Sequence, residues 1–148
     1  MTLTLRTMTA ADYAAVYRLW EESEGVGLSA TDSYPSIERF LARNPGFSFV
    51  AADKGEIIGA LLCGHDGRRG YIHHLAVHPN QRRRGIGRRL ADRALDELAK
   101  VHIDKCHIFV FRENSAAIAF WQRIGWTHRI DLEVLSRPLS SGVRKSLP

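Results

Sequence analysis

The stretch YIHHLAVHPNQRRRGIGRRL, residues 71–90, passes from an apolar, β-rich segment through a proline turn into an arginine- and glycine-rich loop and out along a helix. Gly85 and Gly87 allow the backbone to approach a ligand closely and to turn N–H groups toward it, and the start of the following helix adds a partial positive charge. Arg82, Arg83, Arg84, Arg88 and Arg89 crowd that same positive end, where the helix dipole disfavours cations. A bound anion such as a pyrophosphate reverses the unfavourable term. The stretch lacks the strand–GxGxxG–helix spacing with a later acidic residue of a dinucleotide fold, and also the Lys-Ser/Thr pair of a P-loop.

On either side of this loop the hydrophobic period changes in a readable way. Before it, FSFVAAD (47–53), a Lys54-Gly55 turn and EIIGALLCG (56–64) form a hairpin, and YIHHLAVHP (71–79) follows after the HDGRRG turn, which predicts an antiparallel meander. After it, Ile86, Leu90, Ala94, Leu98 and Val101 line one helical face, and CHIFVF (106–111) is a strand. Strand, helix, strand is the crossover that makes the two strands parallel neighbours.

Toward the N-terminus, Thr9 and Asp12 form a capping-box pattern ahead of Tyr13, Val16, Tyr17 and Trp20, predicting an amphipathic helix over 9–22 that Gly25 and Gly27 end. A shorter helix starts near 33–36, carries Ile37, Phe40 and Leu41, and stops at Asn44-Pro45-Gly46. Toward the C-terminus, Asn114 is placed as the N-cap of a helix bearing Ala117, Phe120, Trp121 and Ile124, with Gly125 at its left-handed end. One or two short strands are expected in 126–139, and a mobile tail in 140–148.

At 148 residues, 45% hydrophobic and 25% charged, the chain has the size and composition of one globular α/β domain, which excludes collagen-like and disordered classes. The longest apolar run, Ile57 to Cys63, is far short of the roughly 20 residues of a membrane span. No apolar leader precedes Asp12, and Cys63 and Cys106 both sit in apolar segments, so a cytoplasmic protein with buried thiols is expected. The net charge of +5 is concentrated: six arginines lie between Arg82 and Arg93. An anionic partner is implied.

Taken with the strand before it and the Asn114–Trp126 segment after it, the loop resembles that of the GNAT superfamily of N-acetyltransferases. The family's Arg/Gln-x-x-Gly-x-Gly/Ala signature is here Arg82-Arg83-Arg84-Gly85-Ile86-Gly87. Its later Asn-x-x-Ala-x-x-hydrophobic-Tyr-x-x-x-Gly-Phe segment is Asn114 to Trp126, with Trp121 and Trp126 replacing the tyrosine and phenylalanine. The resemblance covers about residues 3 to 139. It implies a mixed, mostly antiparallel sheet flanked by helices and splayed between its fourth and fifth strands, with acetyl-CoA in the cleft. Main-chain groups of Leu75, Ala76 and Val77 would pair with the pantetheine arm, and the loop from Arg82 through Arg83, Arg84, Gly85, Ile86 and Gly87 to Arg88 would hold the pyrophosphate. Asn114, Phe120 and Trp121 would flank the thioester end.

The implied reaction transfers an acetyl group to a primary amine of a small molecule or peptide. The amine must lose a proton before it attacks. Two glutamate positions that often supply the base in the family are held here by Tyr71 and Phe109. YIHHLAVH is instead similar to the corresponding strand of aralkylamine N-acetyltransferases, where histidines at the positions of Tyr71 and His73 act through water. Strand alternation places Tyr71, His73, Leu75 and Val77 on one face and Ile72, His74, Ala76 and His78 on the other. His73 is thus the candidate base; a hydrogen-bonded sheet histidine is the alternative. The family's usual acid, a tyrosine, aligns with Trp121, whose indole N–H cannot usefully deliver a proton; either water or a tyrosine from elsewhere, Tyr71 being the nearest, substitutes, or a thiolate leaves well enough to need no dedicated acid. Opposed His73 and His74, and a separation of ~13 Å between His74 and His78 at ~3.3 Å per residue, argue against a metal.

Trp20, Glu21, Glu22, Glu24 and Tyr34 are candidates to frame the amine, the glutamates favouring a cation. Solvated helix-end residues are the alternative. Two other functions fit the residues: a non-catalytic acyl-CoA-binding module, because Tyr71, Phe109 and Trp121 replace acid–base groups, and a nucleic-acid binder using the arginines. The arginine cluster has no aromatic interleaving, which argues against nucleic acid. Composition allows a monomer or a homodimer.

Overall fold

The computed structural model describes residues 2–139, which fall into two compact units divided after Asn114. The predicted tail, 140–148, lies outside the described residues. In the first unit a five-stranded sheet has the order β1 (Leu3–Thr7), β2 (Phe49–Asp53), β3 (Glu56–His65), β4 (Gly70–Val77), β5 (Cys106–Ile108). The first three pairings are antiparallel and the last is parallel. Three helices accompany it: α1 (Tyr13–Glu21), α2 (Tyr34–Arg43) and α3 (Ile86–Lys100).

Local chemistry explains these elements. Lys54 and Gly55 both have positive φ, 53° and 82°, as a two-residue hairpin turn requires. The Arg6 guanidinium grips both oxygens of Asp12 at 2.9 Å, and Asp12 Oδ2 also accepts the Thr9 N–H at 2.9 Å, so one carboxylate ties β1 to the turn that opens α1. Ser33 Oγ accepts the Ser36 N–H at the start of α2, where Pro35 stands in the first turn. The strand over 3–7 has no counterpart in the sequence reading: LTLRT offers only two apolar residues in alternation, and β1 is an edge strand.

The sheet buries both faces. Val50, Ala60, Leu62 and Ala76 pack with Val16, Leu19 and Trp20 of α1 and Ile37 of α2. On the opposite face α3 buries Ile86, Leu90, Ala91, Ala94 and Leu98, and a Cβ at Gly59 of β3 would stand 3.2 Å from Ile86 and Leu90. Val101, expected on the apolar helix face, instead follows the end of α3 and is 46% exposed.

The β4–β5 ladder contains only Gly70–Cys106, Tyr71–His107 and Ile72–Ile108. Beyond Ile72 the strands part, and among the described residues β4 continues to Val77 paired on its β3 side alone. This is the predicted splay.

One expectation about β4 is overturned. Its register against β3 slips between Ala60–Ala76 and Leu62–His73, and His74 has φ 52°, so β4 carries an extra residue at a bulge. Strict alternation therefore fails. His73 lies opposite Leu62 and touches Phe40 of α2, and His74 touches Trp20 of α1, so both histidines face the α1 and α2 side. Ala76, opposite Ala60, joins them there, while Val77, opposite Gly59, belongs to the α3 face.

The second unit contains α4 (Ser115–Arg123). Gly125, at φ 103°, ends it as predicted: its N–H donates to Gln122 O at 3.1 Å and the Trp126 N–H donates to Trp121 O at 2.9 Å, a closed left-handed cap. Trp121 is buried and meets Trp126 edge-on at 4.7 Å. The short strands expected over 126–139 are absent among the described residues, where Ile130, Leu132 and Val134 are 86%, 53% and 68% exposed. Their apolar alternation supplies strand propensity without a paired neighbour, and an unpaired strand has no ladder to hold it.

Candidate active site

The bulge in β4 brings two histidines to one side of the sheet, where the turn leading into α2 meets them. Ser29 starts that turn; its N–H donates to Asp32 Oδ2 at 3.0 Å, a reciprocal cap that fixes the carboxylate. The other oxygen, Oδ1, lies 2.8 Å from His74 Nε2, and the Asp32 carbonyl accepts the Tyr13 hydroxyl at 2.7 Å. The Asp32 side chain is 5% exposed. Asp32 escaped the sequence reading because its partner is 42 residues away; the Ser29-x-x-Asp32 cap is the signal that could have placed it at a helix start.

His73 sits edge-on to Phe40 with ring centroids 6.0 Å apart. Burial pushes its imidazole below the ordinary value of 6.5, the neighbouring His74 pushes the same way, and Asp32 opposes them. A buried imidazole kept neutral is a competent proton acceptor. Trp20 is 1% exposed, lies 5.0 Å from the His74 ring, and its Nε1–H has no hydrogen-bond partner among the described residues.

Tyr71, on the face of His73, is half-buried and stacks with Phe109 at 6.2 Å and an interplanar angle of 27°. Phe109 and Phe111 are 62% and 59% exposed. Of the residues expected to frame an amine, Trp20 is buried while Glu21, Glu22 and Glu24 are exposed; Glu22 Oε2 comes within 4.0 Å of His78 Nε2. Tyr34 stands edge-on to Tyr13 and its hydroxyl donates to Glu38 at 3.3 Å. A separate open cleft of about 350 Å³ is bounded by Glu24, Gly25, Phe111, Glu113 and Asn114. Because the bulge puts His73 and His74 on one side, their expected opposition no longer argues against a metal; among the described residues no three His, Cys, Asp or Glu gather as a metal site.

The loop after β4 carries two left-handed residues just ahead of α3. Arg83 and Gly85 both adopt left-handed backbone, φ 68° and 76°, and Gly85 is the cap residue of α3. Alternating hand in this way turns successive N–H groups toward one point. Arg82 Nε donates back to Val77 O at 3.2 Å, Arg84 is bonded to Gln81, and Arg82, Arg83, Arg84 and Arg88 are exposed. Ile86 is buried against the sheet, so it anchors the helix start rather than contacting a ligand through its side chain. Leu75, Ala76 and Val77 lie along the unladdered edge of β4, Asn114 follows the Phe111 turn with its N–H on Phe111 O at 3.0 Å, and Phe120 and Trp121 meet edge-on in α4.

The chain has known relatives of this architecture. Over 120 residues it is 34% identical to an acetyltransferase of Pectobacterium atrosepticum, covering 81% of this chain and 84% of that one. A second acetyltransferase, from Sodalis glossinidius, is 30% identical over 135 residues, 91% of this chain and 94% of that one. Among solved structures, the PaiA N-acetyltransferase of Thermoplasma acidophilum in complex with coenzyme A superposes with a TM-score of 0.77 at 18% identity, over 86% of this chain and 91% of that one. The model of the Acetyltransferase (GNAT) family matches residues 13–126, running through both units. With the splayed sheet, the bulged fourth strand and the glycine loop in place, the chain belongs to the GNAT family of acetyltransferases.

Proposed function

We propose that the protein is a cytoplasmic, metal-independent N-acetyltransferase that uses acetyl-CoA to acetylate a primary amine, the whole chain forming one catalytic domain. The observation that carries this reading is the open edge of β4, which leads through a single helical turn at Pro79–Gln81 into the left-handed Arg83–Gly85 loop at the start of α3. An extended amide-bearing arm fits the edge and a pyrophosphate fits the loop. Leu75, Ala76 and Val77 would bind the arm through their main chain. Arg82, Arg83, Arg84, Gly85, Ile86, Gly87 and Arg88 would enclose the phosphates, and Asn114, Phe120 and Trp121 would close the far end.

Acetyl-CoA supplies an activated acetyl group whose C–S bond breaks as the C–N bond forms. His73 accepts the ammonium proton directly or through water, freeing the lone pair for attack, and passes it to solvent; the second proton that the nitrogen sheds as the amide forms goes by water to the departing CoA thiolate. Tyr71, on the same face, donates a hydrogen bond at the departing sulfur; a thiolate leaves readily enough that no stronger acid is needed. Phe40 and Leu62 keep His73 desolvated and neutral near pH 7.

The test is to incubate the protein and acetyl-CoA with a panel of amines, polyamines, amino acids, aminoglycosides and short peptides, and to follow free thiol. Acceptor-dependent thiol release supports the reading. Cofactor binding without release by any amine would favour a non-catalytic acyl-CoA module, and no thermal response to CoA at all would sink both.

A further inference from the structure

Three features converge on His74 that the transfer reaction described above does not use. It occupies left-handed backbone at φ 52°, a conformation that strains a side chain with a Cβ and that persists only where the surroundings impose it. Its Nε2 meets the buried Asp32 carboxylate at 2.8 Å, and that carboxylate is held on its other oxygen by the Ser29 N–H. It packs at 5.0 Å against the ring of Trp20, whose buried N–H has no partner among the described residues, so an unpaired donor lies beside the His74 ring.

A carboxylate this enclosed is costly unless paired, and a strained histidine is a costly partner unless its position is used. Sheet stability alone does not ask for either: a regular strand without the extra residue would complete the β3 ladder. The bulge instead turns His74 to the same side as His73.

The geometry points to Asp32 and His74 as a positioning couple for His73: the carboxylate anchors the neighbouring imidazole in the bulge, and the couple together sets when His73 is free to take a proton. This rests on His73 being the proton acceptor. The groups around His73 are few. Asp32 comes from the turn before α2, His74 and Tyr71 from β4 itself, Phe40 from α2 and Leu62 from β3, with Tyr13 and Tyr17 of α1 packed on the same core. Of these, His74 and Asp32 act on His73 in opposite directions, His74 lowering its value and Asp32 raising it. Removing them one at a time should therefore move its titration in opposite directions, which a purely architectural pair would not do.

The experiment is a pH titration of the imidazole resonances of the free protein by NMR, with His73 assigned from His73→Gln, in wild type, Asp32→Asn and His74→Gln. The His73 midpoint should fall in Asp32→Asn and rise in His74→Gln. With an amine found active in the panel, the acid limb of kcat/KM should move in the same two directions while the thermal response to CoA stays unchanged. Variants that melt at lower temperature but leave the His73 midpoint in place overturn the proposal. Should Asp32→Asn fail to fold because the Ser29 cap is weakened, His74→Gln keeps that cap and decides alone. The titration needs no acetyl transfer, so a responsive His73 in a protein that acetylates nothing would count against the transferase reading and leave only the couple's effect on His73 titration, without its catalytic role.

Discussion

Gly70, the first residue of β4, lies directly beneath Leu98 of α3: a Cβ at that position would stand 2.5 Å from Leu98 Cδ1 and 3.1 Å from Cδ2. Leu98 is 2% exposed and has nowhere to retreat. Gly70→Ala should therefore cost about 1–3 kcal/mol through overpacking, and Gly70→Val more. Urea denaturation would show it as a lowered midpoint with an unchanged slope; a midpoint within error of wild type would mean that α3 is free to shift.

Gly85 presents the opposite situation. A Cβ there would meet nothing within 4 Å, yet the backbone is left-handed at φ 76°. Gly85→Val should cost the unliganded protein only the conformational strain, about 1–2 kcal/mol. Binding is another matter, because the new side chain would hold the loop N–H groups away from phosphate. Saturating acetyl-CoA at ~100 times its Kd should stabilise wild type by about 2.7 kcal/mol and leave the variant unmoved in a thermal-shift titration.

Asp12 carries the junction of β1 and α1. Arg6 and the Thr9 N–H hold its carboxyl below the usual 3.8, so the native state is stabilised at all pH above that value, and the contribution disappears as pH falls through the lowered one. Asp12→Asn should lose about 1–2 kcal/mol at pH 7 and progressively less below pH 4. Melting curves across pH 2–7 for both proteins would converge at the acid end; a constant offset would place the effect elsewhere.

His73 has a linkage of the same sign, in a higher pH range. Its folded value is depressed from the ordinary 6.5, so just below that value the unfolded chain binds more protons than the native one, and stability falls as pH drops through that region. His73→Gln should flatten this slope. In turnover, the same substitution should lower the rate by roughly 10²–10⁴ and remove the limb that rises with pH, with CoA affinity nearly unchanged. Superimposable pH–rate profiles would mean that solvent carries the proton.

Much of the scaffold is legible because its periods are strong. Ile86, Leu90, Ala94 and Leu98 announce α3, and Gly125 after Ile124 announces the end of α4. The parallel β4–β5 pair follows from the crossover between them. What escapes is set by partners distant in sequence. β1 has too few apolar residues to be seen without Val50 and Ala51 opposite it. The bulge leaves no glycine as a marker, since His74 itself takes the positive φ, and one extra residue is enough to reverse the predicted faces of His74 and Ala76. Asp32 reads as a helix cap, and only the fold shows that its free oxygen reaches β4.

The early end of the β4–β5 ladder also bears on how the protein behaves at high concentration. From His73 to Val77 the strand shows an unladdered edge, and the Val77 carbonyl is shielded by the Arg82 side chain. Such an edge is a template for any extended chain, including another molecule of the same protein. A ligand lying along it would act as a solubilising cover. Preparations kept with CoA should stay dispersed under conditions where the unliganded protein associates edge to edge, and light scattering on a concentration series would show the difference.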